Sequence, residues 1–183
     1  AKAFSAAGVF PNVVVDNTSA GHSVTLLAPA VFNNVSRNIT INSGATFNIG
    51  SNVFLMNGTT LTNNGTLTAN GASSNFVWFL TTSPQLYTGS GTVTAPVTNF
   101  AVQADMGLTL DPAVNNIVVG ALRIFSGSVT NSNKLTLGNG GATTGVVQFG
   151  NTTTPTAAAC CTWASCSRTC VAKATSWRCR VRK

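Results

Sequence analysis

Few side chains in this sequence can do chemistry. Asp16, Asp105 and Asp111 are the only carboxylates, His22 is the only imidazole, and Glu does not occur. General acid–base catalysis places a His, Asp or Glu beside the reacting atoms, and glycoside cleavage needs two neighbouring carboxylates. Asp105 and Asp111 are the one close pair, and a functional reading makes them a Ca²⁺ or polysaccharide-cleaving pair. Calcium takes about six to eight oxygens, commonly from several carboxylates, and no Asp-rich repeat supplies them. Asp111 stands before Pro112 and reads as a corner residue. His22 lies in Ser19-Ala20-Gly21-His22-Ser23, with no Ser or Cys partner pattern nearby, and reads as an exposed turn residue. No catalytic, cofactor or metal site is therefore expected, and the composition argues against an enzyme.

All five cysteines, Cys160, Cys161, Cys166, Cys170 and Cys179, fall in residues 156–183. Their spacing makes no C-x₂-C pair and no His is at hand, which speaks against a zinc ribbon. The same stretch holds Arg168, Lys173, Arg178, Arg180, Arg182 and Lys183 without an acid, a charge of +6 out of the chain's +7. Basicity thus belongs to the tail, and the body is not expected to bind nucleic acid. At Thr156-Ala157-Ala158-Ala159 the alternating text stops and Cys/Arg/Trp/Ser text without a strand period begins. This short irregular Cys/Arg-rich tail reads as disordered or as the product of a frameshift. A cysteine-stapled cap and a segment touching membrane or nucleic acid are the other readings.

Aromatic residues are the remaining candidates. Phe76-Val77-Trp78-Phe79-Leu80 and the single Tyr87 could stack on sugar rings, which marks Trp78, Phe79 and Tyr87 as tentative glycan contacts. Alternation favours a plainer reading in which Phe76, Trp78 and Leu80 point inward and Val77 and Phe79 outward. Asn-x-Ser/Thr triplets begin at Asn17, Asn34, Asn38, Asn57, Asn64 and Asn151, a frequency expected by chance in so Asn- and Thr-rich a chain.

The elements that position these residues are strands. Only 7% of the 183 residues are charged, against about 25% in an ordinary domain, while 44% are hydrophobic. Mean hydropathy is +0.26, yet no apolar run reaches the roughly 18 residues of a membrane span. From Val9 to about Asn151, apolar residues recur with period two: Val13 and Val15, Ile39 and Ile41, Phe47 and Ile49, Leu108 and Leu110, Leu135 and Leu137. Such spacing is the half-buried strand signal. Asn42-Ser43-Gly44, Asn57-Gly58, Asn63-Asn64-Gly65 and Asn139-Gly140-Gly141 separate the runs, and Asn and Gly accept the positive φ of tight corners.

Repeats then arbitrate the architecture. Leu27-Ala28-Pro29-Ala30-Val31 is echoed 83 residues on by Leu110-Asp111-Pro112-Ala113-Val114, and Ser43-Gly44 by Ser126-Gly127 at the same interval. Two related units, about 10–58 and 97–140, are expected within a body of residues 1–155. A finer echo joins Gly58-Thr59-Thr60-Leu61-Thr62, Gly65-Thr66-Leu67-Thr68 and Gly91-Thr92-Val93-Thr94. Uniform short strands with recurring corners predict an all-β parallel β-solenoid, with Asn and Thr stacked along its axis; the alternative is a β-sandwich.

Ile39-Thr40-Ile41-Asn42-Ser43-Gly44-Ala45-Thr46-Phe47, Leu61-Thr62-Asn63-Asn64-Gly65-Thr66-Leu67-Thr68 and Ser126-Gly127-Ser128-Val129-Thr130 resemble the repeats of secreted bacterial β-helix proteins. The likeness is to adhesin-like, Bacteroidetes-type surface proteins, which commonly end in a sorting domain, and covers roughly residues 9–151. It implies an extracellular or cell-surface location and a non-enzymatic structural or adhesive role. Expected partners are surface glycans, other cell-surface proteins, or neighbouring coils of a longer parent. No secretory signal is visible, and a start at Ala1 reads as an internal fragment or a processed product. The alternative function is a carbohydrate-binding or polysaccharide-lyase-like β-helix module.

Overall fold

A computed structural model describes residues 2–4, 12–19, 22–28, 30–32, 38–69, 74–79, 82–94, 97–138 and 146–149. The Cys/Arg-rich tail lies outside the described residues. Sixteen strands and one short 3₁₀ turn (Ser132–Lys134) make up the described elements. Every strand pairing among them is parallel. Antiparallel Greek-key pairing of a sandwich does not occur there. The chain is an all-β parallel β-solenoid.

Its coil has three sides. Side 1 is a five-stranded sheet of β1 (Lys2–Phe4), β3 (Val24–Leu26), β6 (Thr46–Asn48), β9 (Thr66–Thr68) and β12 (Thr92–Thr94), in that spatial order. Side 2 stacks β4 (Ala30–Phe32), β7 (Val53–Met56) and β10 (Asn75–Phe79). Side 3 stacks β2 (Val13–Val15), β5 (Ile39–Ile41), β8 (Thr60–Asn63) and β11 (Gln85–Thr88). Strand β13 (Val97–Leu110) runs along both: its first half pairs with β10 and its second with β11. Sides 2 and 3 thereby become one folded sheet. Strand β14 (Ile117–Thr130) covers β13 and in turn pairs with β15 (Leu135–Leu137) and β16 (Val146–Phe149).

Period two in the sequence becomes an inside and an outside. On side 2, Phe54, Phe76, Phe100 and Leu122 stand in register, as do Met56, Trp78, Val102 and Ile124, and all eight are fully buried. On side 3, Ile39, Leu61, Tyr87 and Leu110 form the matching column, and Phe47 stacks over Leu67 on side 1. Ring centroids lie 5.6 Å apart for Phe47–Phe54, 5.0 Å for Phe54–Phe76 and 5.4 Å for Phe76–Phe100. Stacked neighbours at sheet spacing thus give tilted and edge-on aromatic contacts, the arrangements that the ring quadrupole favours.

Corners are held by side chains bonded along the axis, as the Asn/Thr text predicts. Asn42 donates to Asp16 at 3.1 Å, Asn99 to Asn75 at 2.7 Å, Asn52 to the Leu26 carbonyl at 2.7 Å and Asn131 to the Leu110 carbonyl at 2.7 Å. Corner backbones also approach too closely for any Cβ at some levels. A Cβ on Gly91 would collide with the Gly65 carbonyl below it, and one on Gly127, at φ +74°, with the Ala104 carbonyl.

Coil length varies, and this changes the meaning of the 83-residue echo. Leu27 follows the side 1 strand β3, whereas its echo Leu110 ends the side 3 half of β13. Gly44 turns the chain from side 3 to side 1, and Gly127 from side 2 to side 3. The two long units therefore occupy different corners of the coil. What repeats structurally is the shorter motif: Thr66, Leu67 and Thr68 lie in register beneath Thr92, Val93 and Thr94.

Replacing the central aromatic tests this core. Phe76→Ala should lower unfolding free energy by about 3–5 kcal/mol, whereas Val77→Ala on the outer face should cost about 1 kcal/mol or less. Urea denaturation followed by tryptophan fluorescence measures both, and equal losses would contradict the inward–outward assignment.

Candidate functional site

The residues singled out for chemistry do not converge. Asp105 and Met106 are exposed in a bulge of β13, where the register against β14 shifts between Ala104 and Leu108. Asp111 sits at the corner after β13, as its place before Pro112 suggests. Its Oδ1 accepts the Ala113 N–H at 2.8 Å and its Oδ2 the Thr88 hydroxyl at 3.1 Å, so both oxygens serve the turn and the rung below. Asp16 accepts from Asn42 one rung away, and the exposed His22 closes a turn through its backbone N–H to the Ser19 carbonyl. Among the described residues no three His, Cys, Asp or Glu side chains gather closely enough to hold a metal.

The aromatic candidates part company. Trp78 and Tyr87 are fully buried, so neither offers a ring face to a sugar, and their place among the glycan contacts is corrected. Alternation in β10 turns Trp78 inward over Met56, and β11 sets Tyr87 over Leu61, with the two rings 6.0 Å apart. Phe79, at the outer face of β10, remains half-buried. Leu80 lies outside the described residues.

A polar cluster accompanies Tyr87 into the core. Asn63, buried at the end of β8, donates to the Tyr87 hydroxyl and to the Thr92 carbonyl, both at 3.1 Å, while its Oδ1 accepts the Gly65 N–H. Gln85, also buried, donates to the carbonyls of Met56 at 2.8 Å and Gly58 at 2.7 Å. Each amide satisfies backbone groups that the corners leave unpaired, which makes the cluster a structural clamp between rungs. Sequence reading missed it, because Asn63 and Gln85 resemble surface residues by type; their even spacing from the inward Leu61 and Tyr87 is the signal that places them inside. Burial pushes the Tyr87 phenol up to about 12, against a smaller opposing pull from the Asn63 hydrogen bond.

What reaches solvent is a set of uncharged columns. Side 1 presents Thr46, Thr66 and Thr92 in one column and Asn48, Thr68 and Thr94 in the next. Thr92 and Thr94 are exposed and the other four half-buried, and the Thr68 and Thr94 hydroxyls are 2.9 Å apart. Side 3 presents Thr40, Thr62 and Thr88. Side 2 is mixed on its outer face, where Leu55, Val77, Ala101 and Arg123 stand in register beside Asn75 and Asn99. The surface columns, rather than any cluster of reactive groups, are the candidate functional surface. Compared with models of known families, with curated proteins and with solved structures, the chain finds no match.

Tyr87 is the only tyrosine in the chain, so its ionisation can be read directly. A folded-state value above the unfolded value of 10.0 means that its contribution is fully present below pH 10 and is lost as pH rises from there towards 12. A shift of that size corresponds to about 2–3 kcal/mol. Phenolate absorbance should therefore appear near pH 12 in the native protein and near pH 10 in urea. Tyr87→Phe should remove this component of the alkaline loss of stability, and native titration near pH 10 would refute the burial.

Proposed function

We propose that this chain is a non-enzymatic structural and adhesive segment of a secreted or cell-surface bacterial protein. The observation that supports it most is the columned neutral surface. On sides 1 and 3, Thr and Asn from successive rungs stand in register with hydroxyl and amide groups facing outward. Such columns offer hydrogen bonds to glycans or neighbouring proteins without strongly hydrated charge. The body carries only Lys2, Arg37, Arg123 and Lys134 against three Asp. Backbone bonds along the axis make a stiff spacer of this shape, and the few acids are occupied at corners or stand apart. Neighbouring coils of a longer parent chain would continue the same stack of parallel rungs.

Glycans are the ligand class that best fits the neutral columns. Phe79 is the half-buried, outward-facing member of the aromatic stretch, and a carbohydrate-binding module is the second reading on that account. A lyase-like module is disfavoured by the separation of roles between Asp105 in its bulge and Asp111 at its corner.

Beads coated with the full chain, presented to a glycan array and to bacterial and host cells, test the proposal. Specific retention that changes little between low and high salt is expected, because no ion pairs carry it. Phe79→Ala should abolish retention only if the carbohydrate-module reading is right. Absence of any retention would remove the adhesive role, and polysaccharide turnover lost in Asp105→Asn would overturn the non-enzymatic one.

A further inference from the structure

We propose that side 1 is an ice-binding face: its ligand is the ordered water lattice at the surface of an ice crystal. The inference stands apart from the adhesive reading and rests on a two-dimensional array. Thr46, Thr66 and Thr92 occupy one column, and Asn48, Thr68 and Thr94 the next, in register at every level and with no shift between β6, β9 and β12. Parallel rungs lie about 4.8 Å apart, and residues i and i+2 of one strand about 6.6 Å apart. Both intervals are comparable to oxygen repeats of hexagonal ice, so an array of Thr and Asn side chains anchored at these backbone intervals can share a layer of water with the crystal.

Three further properties suit that ligand. First, β6, β9 and β12 carry no charged residue. Charged groups orient water radially, against the lattice, whereas Thr adds a methyl beside each hydroxyl and shelters the ordered layer. Second, the face is stiff. Phe47 and Leu67 are fully buried beneath it, Val93 packs against the same core, and the Gly65–Gly91 approach holds the rungs together at the corner. Third, the Thr68–Thr94 hydroxyl contact at 2.9 Å fixes both side chains along the axis, so less rotamer freedom remains to be lost on adsorption. Sides 2 and 3 lack this regularity, because the β13–β14 pairing that continues them shifts register twice. Their outer faces mix Leu55, Val77 and Phe79 with Asp105 and Arg123.

Ice recrystallisation and the shape of single ice crystals grown with the full chain test the assignment. Micromolar protein should hold grains small and facet the crystals. Thr92→Lys together with Thr94→Lys places two charges on exposed positions without touching the core, and should raise the concentration needed by about tenfold or more. Asp105→Asn, in the bulge away from side 1, should leave the activity unchanged, and unchanged far-ultraviolet dichroism should show that each variant folds. Round, unfaceted crystals and normal grain growth with the unmodified chain would overturn the proposal. Equal activity in the double Lys variant would also overturn it, because the face would then be elsewhere.

Discussion

Everything in this molecule depends on one constraint: parallel strands stack in register, so each backbone group bonds to the rung above and below. That constraint fixes a vertical spacing of about 4.8 Å. It also turns each short strand into a ledge on which the equivalent side chain of the next coil must rest. Hydrogen bonds between side chains 20 to 26 residues apart in sequence are its visible trace. Once the ledge exists, an apolar residue is best placed over another apolar residue, and an amide over a group that it can bond.

The same rule explains why the chain manages with so little charge. Stacking like charges a rung apart costs energy in every coil, whereas Thr over Thr and Asn over Asn can bond. Asn99 over Asn75 and Thr94 over Thr68 are direct instances. The acids that do occur sit where the ledge gives them donors: Asp16 takes an amide from Asn42, and Asp111 takes the Thr88 hydroxyl. Where the ladder is interrupted, as at the β13 bulge, Asp105 is released to solvent with Met106.

Much of this architecture was legible from period two and from corner chemistry. The alternation through Phe76 and Trp78 was enough to place both rings inside, and Asn-Gly corners were enough to divide the strands. Parallel stacking followed from the recurrence of like text. Register was harder. The 83-residue echo is real as text, but coil lengths differ, and Gly44 and Gly127 consequently mark different corners. Fusion of two sides into the 14-residue strands β13 and β14 was not legible either, since Gly107 and Gly127 carry the chain round through register shifts that leave the strands continuous. The inward reading of Trp78 holds, and a glycan contact at Trp78 or Tyr87 does not, because parity sets both rings inside the coil.

Asn63 and Gln85 show why parity deserves the greater weight. A polar residue at an inward position loses its water, a penalty of about 1–3 kcal/mol for each group left unpaired. It persists only where the neighbouring rung supplies partners at the right height. Asn63 meets the Tyr87 hydroxyl and the Thr92 carbonyl, and the Gln85 Nε2 meets the carbonyls of Met56 and Gly58 while its buried Oε1 has no partner among the described residues. A slip of one residue in either strand would carry those amides to the outer face and bring Thr inward. Leu and Ile columns tolerate alternative stackings of similar energy, but these amides do not. The buried polar groups thus act as register pins, and through them the outward columns on sides 1 and 3 acquire the alignment that any ligand of those faces would read.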